Sequence, residues 1–516
     1  MARLEYPLVA ACLLAFLVFA WLGRVPAMRS AGDDEFKYIA LSRSLETGSY
    51  REIFRPGAPL HAQYPPGYPA WLIAVRHVLG EQLDAIRVTN LVMTTLAIGL
   101  WFLVARRLLP RGLALGFLLL LVLNRSLLAV GSSLASEGLF LLLCVGSLMV
   151  MQRSEHAERR TLPAILGGLL GFLTRSVGLA LIVAVGSWLW IQRRRRALLA
   201  WALSAVLIVG GWFGYTLMAP LNGTVRSYAK AFAETTSRTS GPSPVRVVAS
   251  RVWHHGMDYA TTDMPYQLSL PTLPGTRIDN WAWLLIDGLL LSVGLLVLWR
   301  RWRAAAVYVV GSVALLLLWP FQDGRLLIPL VPLGLLALLA GAARLSERLP
   351  QPARHLVPGG LLVLLTLGAL GGAREWAGLY RSCDRRDPYH SAGCYDPGRL
   401  AFVAGAQYLR DHAAPGDQVL SREPATLNYL SGLLTEPPHL LANPPGGDPV
   451  AALQAQHIRF VFVTSPWMAS SLEASCDRLQ VEQSYLPLAV LLSAAPPGTR
   501  GVDACLALRE IAVPAR

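Results

Sequence analysis

Asp33, Asp34 and Glu35 stand side by side shortly after an apolar N-terminal run. Ionisable groups beside a membrane span are costly and are kept mostly where they function. A carboxylate placed there can act as general base on an acceptor hydroxyl or amine. The plainer alternative is that three acids open a helix and complement its dipole. In DDEFKYIALSRSL, Phe36, Ile39, Ala40 and Leu45 can lie on a membrane surface while Asp34, Tyr38 and Ser42 share the other face. Adjacent helical side chains diverge by about 100°, so only one of Asp33 and Asp34 can point at a substrate.

Other groups suit anion chemistry. In FQDGRLLIPLVP, Arg325 offers a guanidinium that can hold a phosphate by two hydrogen bonds. Glu137 and Arg175 sit at the edges of apolar runs, where each can bind a ligand or simply reach water. YPPGYP, from Tyr64 to Pro69, fixes its backbone with paired prolines and sets an aromatic on each side, either as a pocket wall or as a turn before a helix. No His or Cys cluster has metal-ligand spacing, and His254-His255 reads as a loop pair. No cofactor is specified, and divalent-metal dependence is left open.

The elements that must position these groups are mostly apolar. Of 516 residues, 54% are hydrophobic and 15% charged, well below the about 25% charged of soluble domains. Eleven segments approach the length of a membrane-spanning helix: 4–22, 88–105, 113–130, 134–151, 162–173, 177–191, 197–218, 281–299, 304–319, 326–342 and 356–370. Arginine clusters fill every second connection: 106–111, 153–160, 193–196, 300–303 and 344–354. Short basic loops stay in the cytoplasm, so the net charge of +14 reflects topology and not nucleic-acid binding. With the N-terminus also inside and the first segment kept as an anchor, an odd number of spans places the C-terminal tail outside. The reading is a polytopic, mainly α membrane domain over 1–372, with long outer loops at 23–87 and 219–280, and an extracytoplasmic domain over 373–516.

That tail alternates helix and strand. AFVAGAQYLRDHA, ATLNYLSG and VAALQAQHI read as helices, DQVLS and RFVFVTS as strands, together a small α/β lobe without a phosphate-binding motif. Four of the six cysteines lie in it, which suits an oxidising compartment. Three pairings are possible, and the short loops favour Cys383 with Cys394 and Cys476 with Cys505.

Asp34-Glu35 followed by Tyr38, then PPGYP, Ser136-Glu137, Thr174-Arg175 and GRLLIPLVP occur in one order along these spans. In that order the chain resembles the bacterial family 39 type of GT-C glycosyltransferases, related to protein O-mannosyltransferases and to the lipid A aminoarabinose transferase. YLRDHAAPGDQVLS and LNYLSG extend the resemblance into the outer lobe. It implies a multi-pass protein of the bacterial inner membrane whose donor is a polyprenyl-phosphate-linked sugar, transferred with inversion to a lipid, glycan or protein acceptor at the outer face. Asp34 matches the catalytic acid of the family's Asp-Glu pair, with Asp33 nearer the helix cap. Substrate and lipid-phosphate contacts fall to Arg325, with Arg55, Arg175, Glu35, Tyr38, Tyr64 and Glu137; Tyr64 stands where the aminoarabinose transferases carry a lysine. An O-antigen-type polymerase or ligase, with key arginines between Arg226 and Arg277, or a transporter of lipid-linked sugar, are the alternatives.

Overall fold

The computed structural model describes residues 2–24, 33–153, 161–218, 228, 231–232, 243–270, 277–351, 353–384, 393–442, 444–496 and 501–512. The stretches 237–242 and 271–275, read as loop, lie outside the described residues.

All eleven apolar segments are helical. Among the described residues, five helices are long and apolar enough to cross a membrane: Glu5–Leu22, Leu83–Leu108, Arg195–Met218, Gly324–Ser346 and Ala353–Gly378. A sixth case is a pair, Arg111–Leu123 and Arg125–Ser132, bent by 54° at Asn124. Asn124 caps the second half, its side chain accepting from the amides of Ser126 and Leu127. Glu137–Gln152, Thr161–Thr174, Ser176–Ile191 and Arg303–Leu318 are shorter apolar helices, and Arg277–Arg301 runs for 25 residues. The basic clusters fall at or between the ends of these helices, where water can hydrate them. His254 and His255, read as a loop pair, lie on the helix Pro244–Asp258.

The chain divides into two compact units. The first comprises Met1–Arg24, Ala62–Met218 and Arg226–Gly378, and the second Val25–His61, Ala219–Val225 and Leu379–Arg516, as far as those residues are described. The second unit therefore begins after Gly378, where the sequence placed the boundary near residue 372. It also takes in residues 33–61, which read as a loop of the membrane domain.

The first unit is held by close helix packing. Gly294 on Arg277–Arg301 lies so near the backbone at Ala337 of Val331–Ser346 that a Cβ would overlap its carbonyl. Small residues at a crossing let helices approach where lipid offers no hydrophobic drive.

The second unit is built on a five-stranded sheet: β1 (Gln418–Ser421), β2 (Leu434–Glu436), β3 (Ile458–Val463), β4 (Leu479–Tyr485) and β5 (Ala489–Ala494), in the order β2-β1-β3-β5-β4. β1 pairs in parallel with β2 and β3, and β5 runs antiparallel to β3 and β4. Alternation along β3 sends its side chains to two cores. Val461 and Val463 pack with Leu492, Met468 and Leu508 on one face. Phe462 stacks on Phe402 of the helix Pro397–His412 at 5.3 Å on the other. Cys383 pairs with Cys394, and Cys476 with Cys505, as the loop lengths favoured.

Gly294→Val should separate the two backbones and cost about 2 kcal/mol or more, read as a lower Tm of the full chain in detergent. An unchanged Tm would refute this crossing.

Candidate functional site

Two clusters of charged side chains hold the residues singled out by sequence, one in each unit.

In the first unit the cluster centres on Glu137, which is 1% exposed. Arg175 Nη1 and Arg325 Nη2 each donate to its Oε1 at 2.8 Å, and Arg325 Nε does so at 3.2 Å. Arg175 Nη1 also donates to Ser136 Oγ at 2.9 Å. Glu137 Oε2 is buried with no hydrogen-bond partner among the described residues. Two guanidiniums thus converge on one buried carboxylate. Arg325 keeps 30% of its side chain exposed and Arg175 keeps 12%.

Local structure dictates this convergence. Arg175 is the extended residue between the helix Thr161–Thr174 and the turn Ser176–Gly178, so its side chain leaves the helix axis. Arg325 opens the 3-10 helix Gly324–Leu330, whose first turn is set by Asp323 Oδ1 accepting the Arg325 amide at 2.9 Å. Gln267 Nε2 donates to the Gly324 carbonyl at 3.0 Å, and Asn124 Nδ2 to the Gln267 carbonyl at 2.8 Å, so the bend at Asn124 braces the same loop.

The YPPGYP turn serves the same connections. Tyr68, 1% exposed, donates from its hydroxyl to Asn90 Oδ1 at 3.2 Å. Asn90 Nδ2 donates to the carbonyls of Ser133 and Ala135 at 2.7 Å, fixing the chain just before Glu137. Gly67 lies against the Leu173 carbonyl, closer than any Cβ allows, and so meets the chain just before Arg175. Tyr64 is half-buried in the same turn.

In the second unit the helix Asp33–Glu46 lies on the helix Pro424–Ser431, with Phe36 and Tyr429 ring centroids 4.3 Å apart. Asp33 Oδ1 accepts from the Thr426 amide at 2.8 Å and from its hydroxyl at 3.1 Å, acting as a cap supplied from another helix. Asp33 also pairs with Lys37 at 3.3 Å. Asp34 is half-buried at the neighbouring position, while Glu35 and Tyr38 are 2% and 4% exposed.

Arg55 is 4% exposed and spends its guanidinium inside this unit. It donates to Glu436 Oε1 at 2.6 Å and Oε2 at 3.2 Å, and to Glu52 Oε2 at 2.7 Å. His61, fully buried, donates from Nδ1 to Glu52 Oε1 at 2.8 Å. The Phe54 carbonyl accepts the Thr435 amide at 2.9 Å, so residues 50–61 meet the β2 edge at this one backbone hydrogen bond. Burial alone would raise the Glu52 pKa; the hydrogen bond and charge of His61, with Arg55 and Lys37, outweigh it and hold it down to about 2. Burial pushes the His61 pKa below its ordinary value, against the pull of Glu52.

One group escaped the sequence reading. Asp287 lies within the apolar helix Arg277–Arg301, 6% exposed, and its Oδ1 has no hydrogen-bond partner among the described residues. A lone acid in an apolar run was the available signal. Among the described residues no three His, Cys, Asp or Glu side chains come together as a metal site.

Two outcomes are expected. Glu52 stabilises the second unit above the ordinary carboxylate pKa of about 4.3, and that contribution, about 3 kcal/mol, should fade as pH falls toward 2. Arg55→Ala takes from the buried Glu436 the guanidinium that holds both its oxygens and from Glu52 one of its cationic partners, so about 3–5 kcal/mol should be lost. Hydrogen exchange of β1 and β2 in the full chain checks both; equal protection in the variant at neutral pH would refute the anchoring role. Asp287→Asn removes a poorly solvated charge and should raise Tm by a few degrees, worth about 1–3 kcal/mol; a lower Tm would show that the carboxylate is satisfied.

No protein-family model and no curated protein sequence matches the chain. Solved structures do. The crystal structure of ArnT from Cupriavidus metallidurans in the apo state is similar with a TM-score of 0.57 at 14% identity, over 96% of this chain and 100% of that one. The same protein bound to undecaprenyl phosphate gives 0.56 at 13% identity, over 95% and 99%. The archaeal oligosaccharyltransferase AglB from Archaeoglobus fulgidus, in complex with an inhibitory peptide and a dolichol-phosphate, gives 0.51 at 10% identity, over 92% and 72%. Spanning nearly the whole chain, these likenesses establish that the fold is the GT-C fold, a helical membrane domain with a small C-terminal sheet region.

Proposed function

We propose that this chain is an inverting glycosyltransferase that moves a sugar from a polyprenyl-phosphate donor to an acceptor at the outer face of the bacterial inner membrane. The observation that carries the reading is the convergence of two guanidiniums, Arg175 and Arg325, on the buried carboxylate of Glu137. A fold shared with ArnT, one of whose structures holds undecaprenyl phosphate, supports the choice of a lipid phosphate as the anion.

In this reading Asp34 accepts the proton of the acceptor hydroxyl as its oxygen attacks the anomeric carbon. The bond from that carbon to the phosphate oxygen breaks on the opposite face, which inverts the configuration. The electron pair stays on the leaving lipid phosphate, and Arg325 with Arg175 stabilises the charge gained there. Asp33 caps the helix at Thr426 and pairs with Lys37; Asp34 is taken as the base from its place in the Asp-Glu pair. Glu137 orients the two arginines, and Glu35, Tyr38 and Tyr64 are further substrate contacts in this reading. Arg55, bound between Glu52 and Glu436, is reassigned from phosphate contact to anchoring. The basic loops put the N-terminus in the cytoplasm and the C-terminal domain outside.

The test is sugar release from a panel of radiolabelled polyprenyl-phosphate sugars by the full chain in lipid. Asp34→Asn should lower kcat by about two to four orders of magnitude with the donor KM little changed. Arg325→Ala should weaken donor binding and turnover together, with Arg325→Lys intermediate. Full turnover by Asp34→Asn would overturn the mechanism. Consumption of a diphosphate-linked donor alone would favour the polymerase or ligase alternative, and movement of intact lipid-linked sugar would favour transport.

A further inference from the structure

At the arginine-rich helix ends of the first unit lies a cavity of about 1430 Å³, far from small-ion size. Arg107, Arg300, Arg301, Arg344, Arg348 and Arg354 line it, and Glu347 is the one carboxylate among its lining residues. These arginines come from three connections widely separated in sequence, those at 106–111, 300–303 and 344–354. Retention of loops in the cytoplasm asks only that each connection be basic; it does not ask three of them to face one space. The cluster Arg193–Arg196, equally basic, does not line the cavity.

Apart from Ser346, Gln351 and His355, the remaining wall is apolar. Leu296, Val297, Leu345 and Leu362 contribute to it, and Leu296 and Leu345 are 60% and 40% exposed. A free phosphate or nucleotide would meet the arginines but gain nothing from the leucines. A lipid brings both an anionic headgroup and chains. Arg301 Nη1 donates to the Leu108 carbonyl at 3.3 Å, tying two of the contributing helix ends together. Glu347 pairs with Arg344, which leaves the cavity strongly cationic.

We infer that this cavity binds an anionic glycerophospholipid of the surrounding leaflet, its phosphate among Arg300, Arg344 and Arg348 and its chains along Leu296 and Leu345. A headgroup with two phosphodiesters fits the number of guanidiniums best. The inference is independent of the proposed transfer reaction, since none of these residues takes part in it.

The experiment measures lipids retained by the full chain in nanodiscs of phosphatidylcholine doped with phosphatidylglycerol or diphosphatidylglycerol, by native mass spectrometry. Arg300→Gln, Arg344→Gln and Arg348→Gln are combined in one variant. Arg193→Gln, Arg195→Gln and Arg196→Gln make a control of identical charge change. The wild type should retain the anionic lipids over phosphatidylcholine, with diphosphatidylglycerol held tightest. The cavity variant should bind them roughly tenfold or more weakly, and the control should bind as the wild type does. If the triple variant does not fold, Arg348→Gln and Arg348→Glu, at an exposed position, should show graded losses. Equal weakening by the control would reduce the effect to diffuse surface charge and overturn the site. Displacement by inorganic phosphate at matched phosphate concentration would make the ligand a soluble anion and overturn the lipid assignment, as would retention no better than that of phosphatidylcholine.

Discussion

A charge withdrawn from water must find a counter-charge, and that constraint organises both units of this protein. In the first, Glu137 is almost wholly buried and draws Arg175 and Arg325 to one oxygen from connections distant in sequence. In the second, Arg55 is buried between Glu52 and Glu436, the latter 381 residues away in the chain. Removing one partner leaves the other stranded, which is why such groups fix geometry even when they add little net stability. Neutral contacts then refine what the charges place: Asn90 fixes the chain before Glu137, and Asp33 caps the helix that begins at Pro424.

The membrane domain was legible in the sequence because lipid leaves few options. Every backbone group in hydrocarbon must be satisfied within a helix or a closed barrel, so apolar runs of span length report helical chain directly, the third of the eleven as a pair of helices bent at Asn124. The interruption at Thr174-Arg175-Ser176 was visible too, as a real break with Arg175 extended. In the lobe, RFVFVTS was plain because a central strand buries both faces; Phe460, Val461, Phe462 and Val463 are all nearly inaccessible. The hairpin strand β4, LQVEQSY, escaped notice because Gln480, Glu482, Gln483 and Ser484 dilute its apolar pattern, and LTE is too short to carry a period.

What stayed hidden depends on partners remote in sequence. Residues 33–61 read as a loop of the membrane domain because Gly48, Pro56 and Gly57 break their pattern, yet they meet the β2 edge through Phe54 and Thr435. Nothing near Arg55 says that it will meet Glu436, so a buried anchor and a phosphate ligand look alike from the chain. Asp33 and Asp34 are likewise equivalent until Thr426 claims the first. Asp287 was readable as a lone acid among leucines, but its burial without a partner at Oδ1 is a fact of packing.

The stoichiometry of the first cluster bears on its chemistry. Without Glu137, two guanidiniums would repel one another and each would lose the acceptor that orients it. The one carboxylate of Glu137 holds both forks in place. Arginine suits this arrangement better than lysine, because its planar fork can engage Glu137 by one edge and keep donors on another. Arg325 gives Nε and Nη2 to Glu137 Oε1, while nearly a third of its side chain is exposed. In the proposed transfer, a fixed cationic group of this kind would need no reorganisation as the leaving phosphate gains charge, the condition under which electrostatic stabilisation contributes most.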